Sequence, residues 1–133
     1  MLPRATLKRR NLFNPGDIVA VNFPGVTGIK RRPAVILSSP VYHAARPDVI
    51  VGLITSQTAA AVGPTDYLLQ DWVQAGLRVP SAFRSFLVTL PPSTTPVLVG
   101  HLSDRDWQGV RERVQVALAR LDDPAPPAAP TGN

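Results

Sequence analysis

Lys30, Arg31 and Arg32 run directly into Pro33 and an apolar stretch at 34–37, and Ser38 and Ser39 follow it. A second apolar stretch, 49–54, ends in Thr55, Ser56 and Gln57. If the two stretches pair, Arg32 and Thr55 come to neighbouring strand ends. A guanidinium offers a planar fork of donors that matches a phosphate, and a hydroxyl beside it adds one more. The candidate site is therefore a basic rim of Lys30, Arg31 and Arg32 with the hydroxyls of Ser38, Thr55 and Ser56. Gln57 and the downstream Arg84 are further polar contacts. The bland reading of three cations on a loop is a solvated patch. Position argues against it, because Arg32 leads into one buried strand and Thr55 closes another, and strand ends support a site rigidly.

Other chemistries find little support. His43 and His101 are the only histidines, no cysteine is present, and no pair of carboxylates has ligand spacing, so no metal site is expected. Neither the P-loop pattern nor the dinucleotide glycine pattern occurs, and Gly25 and Gly28 alone do not make a phosphate cradle. There is no G-x-S-x-G elbow and no acid pair of the glycosidase kind. No cofactor is expected.

The elements that must carry the rim are short. Asn14, Pro15, Gly16 and Asp17 form a turn signal, and 18–23 reads as a first strand. Residues 24–31 read as a mobile, glycine-containing loop. Strands follow at 34–37 and 48–55, with one helical turn in the connector 40–47. A second loop spans 57–64, a short strand 65–69, and a helical turn 70–75 stopped by Gly76. Residues 80–84 and 85–90 read as two short strands or one bent strand, and 97–102 as the last. Ser103 then caps a helix whose apolar face is Trp107, Val110, Val114, Ala117, Leu118 and Leu121, ended by Asp122, Asp123 and Pro124. Many short strands and one terminal helix predict a mainly β fold, a small closed or half-closed barrel with an appended C-terminal α-helix.

The 133 residues fit one domain, placed at 15–121. Arg4, Lys8, Arg9 and Arg10 give the first ten residues +4 without an acid, while residues 11–133 carry ten cations against nine anions. The net charge of +5 is thus a nearly neutral domain behind a basic, flexible arm at 1–14, either a frayed terminus or a phosphate-steering segment. The tail 122–133 is rich in proline and alanine and reads as disordered. The apolar runs are too short to span a bilayer, the N-terminus lacks the apolar core of a secretory signal, and the absence of cysteine agrees with a reducing, cytoplasmic setting.

The order G-D-I-V-x-V-x-F-P (16–24), K-R-R-P-A-V-I-L-S (30–38) and D-V-I-V-x-x-I-T-S-Q (48–57) resembles the PemK/MazF-type toxins of bacterial type II toxin–antitoxin systems. The later segments 66–69, 71–72, 75–77, 80–81 and 99–103 fit the PemK-like branch, so the resemblance covers roughly 15–120. It implies an SH3-like β-barrel with a C-terminal helix, the PemK/MazF/CcdB-like toxin fold, assembled as a homodimer. It also implies a metal-independent endoribonuclease, an mRNA interferase cleaving single-stranded RNA, with Arg32 and Thr55 as the catalytic pair. Lys30, Arg31, Ser38, Ser56, Gln57 and Arg84 are expected along the RNA. The loop 24–31 would cover RNA and meet the cognate antitoxin. His43 follows Tyr42 where the family often has asparagine. Two alternatives stay open: a non-catalytic toxin on the same barrel that binds a topoisomerase, and an inactive interaction domain or DNA-binding autorepressor.

Overall fold

The structure, a computed structural model, describes residues 13–25 and 28–128. The basic arm with Arg4, Lys8, Arg9 and Arg10 lies outside the described residues, as does the end of the proline-rich tail. The elements are β1 (Asp17–Gly25), β2 (Gly28–Ile36), α1 (Pro40–Ala45), β3 (Val49–Thr55), β4 (Asp66–Leu68), β5 (Ala82–Leu90), β6 (Val97–His101) and α2 (Asp104–Ala117). The six strands form one antiparallel sheet in the order β4-β5-β3-β2-β1-β6. The chain is mainly β with a C-terminal helix, as expected. The sheet is the half-closed variant, with β4 and β6 at its edges.

Both faces of the central strands are covered, so those strands read as continuous apolar runs and not as alternating ones. Ile18, Val35, Ile54 and Phe83 pack on one side against Leu69, Ala75, Leu102 and Val110. Their neighbours Val19, Ala34 and Ile36 join Val21, Val49, Val51 and Leu90 on the other side. No helix among the described residues is long and apolar enough to cross a membrane.

The structure decides three points, two of them as corrections. First, the basic triplet is not on a loop. β1 and β2 form one long hairpin in which Gly25 pairs with Gly28, Phe23 with Lys30, Asn22 with Arg31 and Val21 with Arg32. The pairing that begins in the core at Ile18 and Val35 propagates outward through Asn22 and Phe23, residues with the side-chain bonding or bulk to support a ladder, and leaves only the tip for the turn. Second, of the two alternatives for 80–90 the bent single strand holds: 82–90 is one strand, with a register shift opposite Gly52 and Ile54. Third, the terminal helix stops at Ala117, and Leu118 and Leu121 are exposed. Trp107, Val110 and Val114 reach the core as expected, but among the strands α2 meets chiefly β4 and β5, and the end of the helix at 115–117 is exposed.

Candidate functional site

β2 and β3 pair as Ala34↔Leu53, Val35↔Gly52 and Ile36↔Val51. Continued two residues further, this register sets Arg32 opposite Thr55. The ladder ends before that point for a covalent reason. Pro33 has no N–H to donate, so the strands part after Ala34. Between them and the turn after β4 opens a cleft of about 580 Å³, lined by Arg31, Arg32, Pro33, Ile54 and Ser56 on the sheet side and by Gly76, Leu77, Arg78, Val79 and Ser81 on the other, with Ala20 and Val99 completing it.

The cleft is cationic and uncompensated. Arg31, Arg32 and Arg78 line it and no acidic side chain does. Among the described residues Lys30, Arg31, Arg32, Arg78 and Arg111 have no ion-pair partner, and Arg31, Arg32 and Arg78 line this cleft. Every other described arginine is paired: Arg46 with Asp48, Arg84 with Asp66, Arg105 with Asp71, Arg113 with Glu112 and Arg120 with Asp122. The Arg31 guanidinium donates to the Asn22 side chain across the hairpin at 3.2 Å, which aims it without neutralising it. Thr55, between the lining residues Ile54 and Ser56, is half-buried and does not itself line the cleft; its Oγ1 accepts the Gln57 N–H at 3.1 Å. That leaves the Thr55 O–H proton free to donate.

Not every expected residue joins this group. Lys30 is exposed one step along β2, and Gln57 is exposed past β3, contributing its backbone N–H to Thr55. Ser38 lies at the opposite end of β2, buried, with its hydroxyl 2.5 Å from His43 Nε2 and accepting the Ile50 N–H at 3.1 Å. The His43 ring also bonds the Phe13 backbone, and burial holds its pKa below the usual histidine value. Ser38 and His43 therefore tie α1, β3 and the segment before β1 together. Arg84 is pinned to Asp66 at 3.3 Å beside a separate cavity of about 370 Å³. The His101 Nδ1–H donates to Asp17 Oδ1 at 2.7 Å, at the end of β1 remote from Arg32.

Arg78 was not among the expected residues. Its only sequence signal is a lone cation between Leu77 and Val79, directly after the Gly76 stop. The turn that delivers it is held by α2. Ser103 caps the helix, its Oγ accepting the Asp106 N–H at 3.3 Å. Asp106, fully buried, accepts from Tyr67 Oη at 2.9 Å, Gln70 N at 3.0 Å and Asp71 N at 2.8 Å. Burial and then the bond to Asp106 push the Tyr67 phenol up to about 12. Asp71 in turn accepts two bonds from Arg105 at 2.7 Å each and one from Ser103 at 2.6 Å, and these partners, Arg105 first, hold its carboxyl down to about 2.

Among curated protein sequences none matches this chain. Its fold is that of solved toxins. It superposes on MazF in a MazE–MazF crystal structure from Deinococcus radiodurans with a TM-score of 0.65 at 18% identity, covering 80% of this chain and 96% of that one. An endoribonuclease in complex with its cognate antitoxin, from a mycobacterial species, gives 0.64 at 16% identity, covering 86% and 99%. A second mycobacterial endoribonuclease gives 0.60 at 14% identity, covering 81% and 92%. Residues 14–118 match the sequence profile of one toxin family. With that match spanning most of the chain, the protein belongs to the PemK-like, MazF-like toxins of type II toxin–antitoxin systems.

Proposed function

We propose that this toxin is a metal-independent endoribonuclease that cleaves single-stranded RNA at the cleft between β2 and β3. The observation that carries the reading is the cluster of unpaired cations Arg31, Arg32 and Arg78 at the cleft, facing no acidic side chain. A fold that pairs its other arginines, Arg111 excepted, and leaves these open is complementary to a polyanion.

RNA supplies its own nucleophile. The 2′-oxygen attacks the adjacent phosphorus as its proton passes to water, a pentacoordinate phosphorane forms, and the P–O5′ bond breaks with the 5′-oxygen taking a proton from water. The products are a 2′,3′-cyclic phosphate and a 5′-OH end. Arg32 sets its fork against the non-bridging oxygens, where charge grows in the transition state. Its guanidinium stays protonated near neutral pH, so its role is charge stabilisation. Thr55, oriented by the Gln57 N–H, donates its hydroxyl proton to a phosphate oxygen. Lys30, Arg31 and Ser56 hold flanking phosphates. None of these steps calls on a metal ion.

A homodimer in the cytoplasm, silenced by a cognate antitoxin, completes the reading. The solved relatives include MazE–MazF and an endoribonuclease with its cognate antitoxin. An acidic antitoxin segment that neutralises Lys30 and Arg31 would cover Arg32 in the same step, so antitoxin and RNA compete. The test is incubation of the purified toxin with single-stranded RNA in EDTA. Cleavage with cyclic-phosphate ends supports the reading, and intact RNA refutes it.

A further inference from the structure

Arg78 stands on the wall of the cleft that the sheet does not build. Its backbone is fixed from both directions. On the upstream side, Ala75, Gly76 and Leu77 donate back to Asp71, Val73 and Trp72, closing a compact turn. Gly76, at φ +88°, lies so close to β6 that a Cβ would stand 2.8 Å from the Val99 carbonyl oxygen. A Cβ on Gly100 would in turn strike the Ala75 carbonyl. The two glycines let the turn and β6 touch backbone to backbone. On the downstream side, Ser81 Oγ donates to the Val79 carbonyl at 2.8 Å and the Ser81 carbonyl accepts the Leu69 N–H at 3.0 Å. Through Gln70 and Asp71 the same turn hangs on the buried Asp106 carboxylate.

This rigid strap ends in an exposed guanidinium with no ion-pair partner among the described residues. The surfaces around it narrow what it can bind. Pro33, Ile54, Leu77, Val79 and Val99 line the cleft, and no aromatic side chain does. Single-stranded nucleic acid is usually gripped by stacking bases on aromatic rings together with cationic tracking of the backbone. Here only the second is on offer.

We propose that Arg78 is a further phosphate contact, placed across the cleft from Arg31 and Arg32, so that RNA is held by its backbone from both walls and with little base discrimination at this point. The proposal rests on the endoribonuclease reading and adds to it a residue and a mode of binding.

The test is a salt titration with a fluorescent single-stranded oligonucleotide that is 2′-O-methylated throughout, which keeps its phosphates and removes the nucleophile. Anisotropy is read between about 50 and 200 mM salt, the range in which phosphate contacts dominate. Arg78→Ala binds about tenfold more weakly at the low end, the worth of one charge-assisted contact. Its slope of log Kd against log salt falls by about 0.7, the value for one phosphate on a single strand. The loss is the same for oligonucleotides of different sequence, and Arg78→Lys keeps the slope. Arg111→Ala, an unpaired cation on α2 that does not line the cleft, matches the wild type. An Arg78→Ala protein that binds like Arg111→Ala overturns the proposal while leaving the endoribonuclease reading intact. A loss confined to one sequence with the slope unchanged also overturns it, since that is base readout. A wild type that binds no oligonucleotide removes both.

Discussion

Two groups of charge lie on either side of one short turn, and they are built on opposite rules. At the N-terminus of α2, Asp106, Asp71, Ser103 and Arg105 satisfy one another and the backbone N–H groups of the turn. At the cleft, Arg31, Arg32 and Arg78 face each other with no carboxylate between them. The same chain thus pairs charge where it holds a turn and leaves charge unpaired at the cleft. Like charges left together cost some stability, a cost that binding a polyanion, as proposed, would recover. The brace and the cleft are also mechanically linked, because the turn that Asp106 holds is the turn that carries Arg78.

Substitutions separate the two groups. Asp106→Ala strikes the brace hardest, leaving the Gln70 and Asp71 N–H groups and the Tyr67 hydroxyl unpaired. The expected loss is about 3–5 kcal/mol in urea unfolding, the scale of breaking a buried charged network. Arg32→Ala does the reverse. Cleavage falls by about 10²–10³, the usual worth of a transition-state donor. Unfolding moves by no more than about 0.5 kcal/mol, as for surface positions outside a network. Arg32→Lys does not restore the rate, since a point charge does not replace the planar fork.

Charge reversal sharpens the contrast further. Lys30→Glu with Arg31→Glu weakens RNA and antitoxin together, and the effect shrinks as salt rises. Labelled RNA displaced by antitoxin from the wild type, and neither retained by the double variant, is the expected competition result. Simultaneous binding without mutual weakening removes the shared site.

The smallest effect belongs to the scaffold end of β2. Burial keeps His43 neutral in the fold, with its pKa below the unfolded value of about 6.5. The unfolded chain therefore takes up the proton first as pH falls. The His43 contribution is complete above that value and is lost as pH drops from it toward the folded pKa. His43→Gln flattens this limb of the stability profile and leaves the RNA salt slope unchanged, because Ser38 and His43 lie at the end of β2 remote from Arg32. Asp71 behaves in the opposite acid range. Its stabilisation, set mainly by Arg105, is present above the ordinary aspartate pKa and disappears as pH falls toward about 2.

Much of this was legible in the residues. The apolar runs located β1, β2, β3 and β6, Ser103 marked the start of α2, and Pro33 between cations and an apolar run marked where Arg32 would stand. Three things were not legible, each for a physical reason. Hairpin length depends on cross-strand pairing, so the basic triplet looked like loop until Asn22 and Phe23 were seen opposite it. Burial of a serine depends on partners distant in sequence, so Ser38 looked like an open strand end until His43 and Ile50 were found on it. Arg78 is brought to the cleft by a turn hung on Asp106, some thirty residues away (the Asp71 N–H bond spans 35), and no local pattern announces that.

As proposed, an uncompensated cationic cleft cuts RNA without a metal. One measurement meets this proposal directly: a 5′-labelled single-stranded RNA incubated with wild type and with Arg32→Ala in EDTA, the product ends identified by phosphatase and kinase treatment. Fragments with 2′,3′-cyclic phosphate and 5′-OH ends are expected from the wild type, and intact RNA from the variant over the same time. Intact RNA from the wild type, cleavage that needs an added divalent cation, or cutting by Arg32→Ala at the wild-type rate would contradict it.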